Sequence, residues 1–368
     1  MAERIPIPCT NCGREKYFEG LCYWCRIEKE RDEWLVMPDE EIEKKKQYVI
    51  DNIEDKDIIY QYFRPLFHYR AINTADIAKA AFAKEVYYPH ELYRDAFPET
   101  VDKMINLLLT TPDKTEGSSM LCCLSLVKED PGNKILNAFL ELENNPREWR
   151  KKLYVDPSRY ADIGGWTFEK DGTRVQLVYP QAYPFVKGDR EKDKAAIMCV
   201  RKDTKCSHCS CQMVDMLTID GRDERLSFLG IDGVIKALTC PNCSSVYGPT
   251  YCRYTVNGES EVLEVSDDAY LDENYMTDED LTEFENNNFV LAREPVNPLY
   301  GCKDDITHMI GGMANWVQDT EYLDCPCCSK KMKYFAQIQD YILGSGDGTI
   351  YFEVCTDCQI IGMAHQQT

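Results

Sequence analysis

The sequence predicts an α+β fold laid out in three successive parts: a small cysteine-pinned ribbon, a helical region, and a β-rich C-terminal domain that uses one unit twice. Three observations carry that expectation. Cysteine pairs recur at three places along the chain, helical apolar spacing is confined to the first half, and alternating apolar residues with turn signals dominate the second. The expected boundaries are 1–37, 38–155 and 156–368.

The ribbon comes first. Cys9-x-x-Cys12 and Cys22-x-x-Cys25 are separated by nine residues. Two cysteines three apart on a tight turn aim both sulfurs at one point, about 2.3 Å from a zinc ion, and two such turns complete a tetrahedron. Disulfides are the competing use of paired cysteines. Met1-Ala-Glu-Arg4 is followed by Ile5-Pro-Ile-Pro8 with no apolar leader, so the expectation is a reduced, cytoplasmic protein whose pairs bind metal. A charged helix, Glu28 to Glu33, leads out of this zinc ribbon.

From about Pro38 to Arg150 the apolar residues follow helical spacing: Ile42, Val49 and Ile53, then Ile77 and Ala81, then Val101, Ile105 and Leu108. Thr74 reads as an N-cap, and Pro131-Gly132 separates two helices, the second carrying Ile135, Phe139 and Leu142. Helices of this length joined by short polar turns suggest a stack of helix pairs, similar to HEAT-type repeats. Cys122 and Cys123, beside Leu121, Leu124 and Leu126, read as buried thiols.

The β-rich part opens with Trp166 to Tyr179, whose apolar residues alternate on both sides of Asp171-Gly172, a hairpin signal. The duplicated unit follows. Its first copy runs Cys206-x-x-Cys209, Met213, Asp232-Gly233-x-Ile235, Cys240-x-x-Cys243. Its second runs Cys325-x-x-Cys328, Met332, Asp347-Gly348-x-Ile350, Cys355-x-x-Cys358, with a spacer shorter by four residues. Self-similarity at this level means one supersecondary unit used twice, each copy a four-cysteine zinc site. The two hairpins are expected to superpose, with Ile235 and Ile350 at equivalent core positions and Asp232 and Asp347 at equivalent turns. Met332 to Ile338 and Thr349 to Val354 read as strands. Ligand choice stays open in places, since His208, Cys211, Cys252, Cys302 and Cys327 are alternative donors.

Charge bounds the partners. A net charge of −21 argues against nucleic acid, which needs a basic face, and no apolar run is long enough to span a membrane. From Tyr254 to Ala292 there are twelve Asp or Glu and no Lys or Arg, with Tyr and Phe interleaved. This stretch is either a solvated linker between the copies or a surface for a cationic protein. On the second reading, Asp267, Asp268, Tyr270, Asp272, Glu273 and Tyr275 are the candidate partner-binding residues. Catalysis finds little support. None of the five histidines pairs recognisably with a cysteine, no His-x-Glu precedes a Pro-Cys-x-x-Cys, and Gly344-Ser-Gly346-Asp-Gly348 precedes a strand where a phosphate loop would precede a helix. The one cluster worth testing is His308 with Asp304 or Asp305. Four-cysteine sites leave no open metal position, so a binding protein is expected over an enzyme.

The run Ile310-Gly-Gly-Met-Ala-Asn-Trp-Val-Gln-Asp319, then Cys325-Pro-x-Cys328 with Met332, Phe335-Ala-Gln-Ile338, and Ile350-Tyr-Phe before Cys355-x-x-Cys358, resembles the C-terminal core of the YwqG-like bacterial proteins. The motifs fall within about sixty residues and the likeness extends over 160–368; nothing in 1–150 belongs to it. Tyr334-Phe335 stands where the family usually has a Phe-Leu pair. The resemblance implies an immunity protein that binds and blocks one cognate polymorphic toxin. Two other readings stay open: an adaptor for a basic ribosomal protein, because the knuckle pairs also look like those of the programmed-cell-death-2 proteins, and an enzyme built on His308.

Overall fold

A computed structural model describes residues 5–244, 248–265, 270–299, 308–339 and 348–367. The N-terminal ribbon is a two-stranded turn, β1 (Ile7–Pro8) against β2 (Glu15–Lys16), followed by helix Tyr23–Leu35, whose first turn carries Cys25.

The helical region packs around one helix. Lys114–Leu126 is buried from Met120 through Leu126 and again at Gly117 and Ser118. Asp113 caps it, its carboxylate accepting the amides of Thr115 and Glu116 at 2.8 and 3.0 Å. Around it lie the 3-10 turn His90–Tyr93 and helices Pro98–Thr110, Pro146–Lys152 and Pro157–Ile163. The approach of the 146–152 helix is close: a Cβ on Gly117 would sit 2.5 Å from the carbonyl of Lys152. The packing is therefore more convergent than a stack in which each pair touches only its neighbours. Thr74 precedes helix Ala75–Ala83 as expected, but its hydroxyl accepts the amide of Asp95 at 2.9 Å and caps no helix.

The helical layer also runs past residue 155. Tyr160, Ala161 and Trp166 join its core, together with Leu299 and Met313 from the β-rich part. Asn297 Nδ2 donates to the carbonyl of Phe67 at 2.7 Å, and His68 Nδ1 lies 2.7 Å from the carbonyl of Leu299. The two layers thus share a core.

The expected hairpin at Asp171-Gly172 forms between β3 (Trp166–Phe168) and β4 (Arg174–Gln176), with Gly172 at φ 86°. Beyond it are β5 (Tyr179–Lys187), β6 (Ala196–Lys205), β7 (Gln212–Asp220), β8 (Val234–Thr239), β9 (Thr250–Tyr254), β10 (Ser260–Leu263), β11 (Phe289–Leu291), β12 (Met309–Gly312), β13 (Lys333–Gln339), β14 (Gly348–Cys355) and β15 (Ile360–Gln367). β6, β7 and β8 form a three-stranded antiparallel sheet; the others form an eight-stranded sheet in the order β10-β9-β15-β14-β13-β12-β5-β11. The small sheet lies on one face of the large one. Met198, Leu217, Ile219 and Ile235 from the first share a core with Ile310, Phe335, Ile350, Phe352 and Met363 from the second.

The opposite face of β13 and β14 holds the loop that follows β12. Gln337 Oε1 accepts the amide of Asn315 at 2.9 Å, Gln366 Oε1 accepts the amide of Gln318 at 3.0 Å, and Tyr351 Oη accepts the amide of Val317 at 2.9 Å. Trp316 packs on Tyr322 and Tyr351. The Gly-Gly-x-x-x-Trp-x-Gln-Asp run and the Ala-Gln-Ile strand are therefore two halves of one buried polar and aromatic contact. Gly311 and Gly312 allow it, at φ 76° and 71°, since a Cβ on either would meet a backbone carbonyl within 2.4 Å.

Candidate metal centres

The first knuckle of all three cysteine groups is one and the same turn. The amide of the first cysteine donates to the carbonyl five residues on, Cys9 to Arg14, Cys206 to Cys211 and Cys325 to Lys330, each at 2.8 Å. The amide of the fifth residue returns to the first carbonyl: Gly13 to Cys9 at 2.9 Å, Ser210 to Cys206 at 3.1 Å, Ser329 to Cys325 at 2.8 Å. That fifth residue must be left-handed, and its φ is 76°, 62° and 58° in the three turns. The second knuckle is the start of helix Tyr23–Leu35 in the ribbon, the single turn Pro241–Ser244 after β8, and the turn between β14 and β15.

The turns bring together Cys9, Cys12, Cys22 and Cys25; Cys206, Cys209, Cys240 and Cys243; and Cys325, Cys328, Cys355 and Cys358, with the sulfurs of each group within 4.8 Å of one another. Four thiolates about 2.3 Å from a central ion stand about 3.8 Å apart. The sulfur separations are 3.6 Å for Cys12–Cys22, 3.5 Å for Cys209–Cys240, 4.0 Å for Cys206–Cys243 and 3.8 Å for Cys328–Cys355. Each group fits a tetrahedral metal ion.

The middle and C-terminal units match beyond their ligands. Val214 faces Thr239, Asp215 faces Leu238, Leu217 faces Ala237, Thr218 faces Lys236, Ile219 faces Ile235 and Asp220 faces Val234. At corresponding positions Lys333 faces Val354, Tyr334 faces Glu353, Ala336 faces Phe352, Gln337 faces Tyr351, Ile338 faces Ile350 and Gln339 faces Thr349. Both hairpins break register at the same point, after Asp215 in one and after Tyr334 in the other. β6 and β12 correspond as well: Met198 pairs with Leu217 as Ile310 pairs with Ala336, and the next residue is left-handed in both, Cys199 at φ 58° and Gly311 at 76°. Ile235 and Ile350 occupy equivalent core positions. Asp347 lies outside the described residues.

Backbone and side-chain donors surround the sulfurs. The amide of Cys22 reaches Cys9 Sγ at 3.3 Å and Asn11 Nδ2 reaches Cys25 Sγ at 3.3 Å. The Cys22 amide is the main reason the Cys9 thiol is pulled down to about 6, while burial pushes Cys25 up to about 12. A bound cation removes that conflict by stabilising every thiolate at once.

Among the alternative donors, Cys252 Sγ points to the carbonyl of Lys236 at 3.7 Å and Cys211 Sγ to that of Gln212 at 3.6 Å. Cys327 is exposed, and Cys302 lies outside the described residues. Cys122 and Cys123 are buried in the helical core as expected. His208 is turned to another use. Its ring stacks on Tyr270, centroids 4.2 Å apart and planes 12° from parallel, with Nε2 3.3 Å from Glu264 Oε1.

That stack begins a clamp which the spacing alone does not reveal. The amide of Leu271 donates to Cys243 Sγ at 3.4 Å. Asn242, between the ligands Cys240 and Cys243, gives its Nδ2 to the carbonyl of Glu273 at 2.9 Å and takes the amide of Tyr275 at 2.8 Å. The acidic stretch is thus fastened over the middle centre, and then forms helix Asp278–Glu285, with a Thr277/Asp280 capping box and with Leu281 and Phe284 buried. Of the expected partner-binding residues, Tyr270 is half-buried on His208, Asp272 and Glu273 are exposed, Tyr275 is 68% exposed, and Asp267 and Asp268 lie outside the described residues.

His308 is buried against Phe289, and its Nδ1 accepts the amide of Gln339 at 3.0 Å. Burial pulls it down to about 3. Asp304 and Asp305 lie outside the described residues.

Comparison with known proteins adds one relative. The chain is 24% identical over 286 residues to a protein of Salmonella typhimurium described as uncharacterized protein YpfL, an alignment that covers 75% of this chain and 64% of that one. The chain thus spans less than two thirds of the length of the curated relative it matches. No family model matches the sequence, and no solved structure matches it. Among the described residues no helix is long and apolar enough to cross a membrane.

Proposed function

We propose that this chain is a cytoplasmic, zinc-pinned immunity protein that binds a cognate toxin domain with a basic surface and blocks its active site. The observation that carries the reading is the clamp on the middle centre. It fixes residues 271–275 of an acidic stretch that carries twelve carboxylates and no lysine or arginine, giving that part of it one shape in place of a free linker. A held surface loses less conformational entropy on binding, and its excess negative charge, offset in part by Arg201 at Asp278 and Arg253 at Glu261, speeds encounter with a cationic partner. The resemblance of the C-terminal half to YwqG-like proteins points the same way. Zinc suits the sites because four thiolates at tetrahedral separations match its ligand preference. The sealed, neutral imidazole of His308 supports binding over catalysis, since a general base near neutral pH needs an accessible nitrogen.

The test is co-expression with the product of the adjacent open reading frame. A single toxin domain is expected to bind tightly and lose its activity. Replacing Asp272, Glu273, Glu279 and Glu283 with lysine is expected to slow association by about tenfold at low salt and to flatten its salt dependence, with metal content unchanged. Capture of a basic ribosomal protein in place of a toxin would move the reading to an adaptor. Turnover lost in a folded His308→Asn variant would move it to an enzyme.

A further inference from the structure

The chain carries one metal scaffold twice, and among the described residues only the middle copy is covered. Over the middle centre, Tyr270 lies on His208, the Leu271 amide meets Cys243 Sγ, and Asn242 holds the backbone of Glu273 and Tyr275. By the shared register and knuckle turns, the equivalents on the C-terminal centre are Cys327 for His208, Cys358 for Cys243 and Asp357 for Asn242. All four middle ligands are buried, whereas Cys327 and Cys328 are exposed, Cys358 is half-buried and the Asp357 side chain is 68% exposed.

We propose that this bare face of the C-terminal centre receives an extended segment of a protein partner, carrying an aromatic side chain followed three to five residues later by a lysine or arginine. The spacing is that of the chain's own segment, in which the ring of Tyr270 precedes the residues held by Asn242, Glu273 and Tyr275. The chemistry follows from the substitutions between copies. An aromatic ring packs against the sulfur of Cys327 as Tyr270 packs against His208. A backbone amide of the incoming segment donates to Cys358 Sγ as that of Leu271 donates to Cys243. Asp357 departs from Asn242 in one respect: a carboxylate accepts an amide but has no donor for a carbonyl. It therefore selects a cationic side chain, which displaces Lys330, now 3.1 Å away in a pair whose two members are both exposed and which contributes little by itself. The inference rests on the reading of this chain as a binder of a cationic partner, and adds a second contact surface to it.

The probe is a labelled synthetic peptide, Tyr-Leu-Lys-Lys-Asn-Tyr-Met, which is the 270–276 segment with its two acids replaced by lysine. Added to the metal-loaded full chain, it is expected to give a saturable rise in fluorescence anisotropy. Asp357→Lys is expected to weaken binding at least tenfold with metal content unchanged, and His208→Ala to leave it unchanged. Absence of saturable binding, indifference to Asp357→Lys, or loss in His208→Ala, which would mean that the peptide displaces the chain's own segment, would each overturn the proposal. The partner separates the two ideas. If a co-encoded toxin binds Asp357→Lys as tightly as the unaltered chain, this surface is refuted and the immunity reading stands; if no such protein binds the unaltered chain, the immunity reading fails and the peptide alone decides this one.

Discussion

The middle and C-terminal metal units share a hairpin register, a break in that register, a knuckle turn and a left-handed residue before the break, yet they differ in the side chains set around that frame. Cys211 becomes Lys330, Asn242 becomes Asp357, His208 becomes Cys327, and Ala196 in the first copy corresponds to His308 in the second. What the copies share is what backbone geometry and metal ligation require. What separates them is contact. Among the described residues one unit is covered by the chain's own acidic segment and the other is not, so the same set of four cysteines stands at an internal joint in one place and at an exposed face in the other.

Metal removal is expected to have the largest effect and to test that contrast directly. Structural zinc sites contribute on the order of 10 kcal/mol to folding at neutral pH, so the protein with all three sites filled is expected to bind close to three zinc ions by elemental analysis and to melt far lower after chelation. Cys240→Ser and Cys355→Ser should each remove one ion. Only the first should also free the segment at 270–276, seen as new proteolytic cleavage there. Equal cleavage in both variants would show that the clamp does not depend on the middle centre.

The left-handed position before the register break comes next. Gly311→Ala would place a Cβ 2.1 Å from the carbonyl of Gln181 and force a residue with a side chain to φ 76°, for a loss of about 3 kcal/mol or more in a denaturant titration. Its counterpart is already a side-chain residue. Cys199 is buried in the core with its sulfur 3.6 Å from Met216 Sδ, so Cys199→Gly should lose that packing but relieve the backbone, for a smaller net loss. A larger effect at Cys199 than at Gly311 would break the equivalence of β6 and β12.

Acid distinguishes the copies through Ala196 and His308. His308 is held near 3 in the folded protein against about 6.5 in an unfolded chain, so its contribution is complete above pH 6.5 and declines as pH falls from there toward 3. The slope is about 1.4 kcal/mol per pH unit, or roughly 2 to 3 kcal/mol by pH 4.5. Protonation of the cysteine ligands adds to acid lability in any variant. The comparison is therefore between the unaltered chain and His308→Asn, whose amide oxygen can still accept the Gln339 amide. The variant should lose less stability between pH 6.5 and 4.5, measured by urea midpoints, and parallel curves would refute the assignment.

The grouping of the cysteines in fours and the duplication were legible in the sequence because Cys-x-x-Cys spacing is set by one local turn and the repeat by a fixed order of motifs. The hairpin at Asp171-Gly172 and the strands around Ile338 and Ile350 were legible for the same reason, being local. The clamp was not. Tyr270 and His208 lie far apart in sequence, and nothing in the composition of an acidic stretch distinguishes a loose linker from one whose amides reach a cysteine sulfur. Nor was the end of the helical layer: Pro157–Ile163 packs on Lys114–Leu126, and Trp166 donates its Nε1 hydrogen to the carbonyl of Ser125 at 2.9 Å, so a boundary placed at 155 by the change of periodicity cuts through one core.

The smallest expected effect lies in the knuckles. Ser210 and Ser329 hold the left-handed position that Gly13 holds in the ribbon, at φ 62°, 58° and 76°. A residue with a Cβ loses on the order of 1 kcal/mol there, and glycine avoids that loss but orders a more flexible unfolded chain, for a similar amount in the other direction. Ser210→Gly and Ser329→Gly should therefore each stay within about 1 kcal/mol of the unaltered protein, with the same sign, whereas the β-branched Ser210→Val and Ser329→Val should each lose about 1 to 2 kcal/mol. The pairing is the informative part. Because both serines are exposed but Ser210 lies two residues from His208, which stacks on the clamp, equal changes in the two valine variants would mean that the turn alone sets the strain. A clearly larger loss at Ser210 would mean that the fastened segment transmits it, and that the covered unit is a cooperative joint where the open one is not.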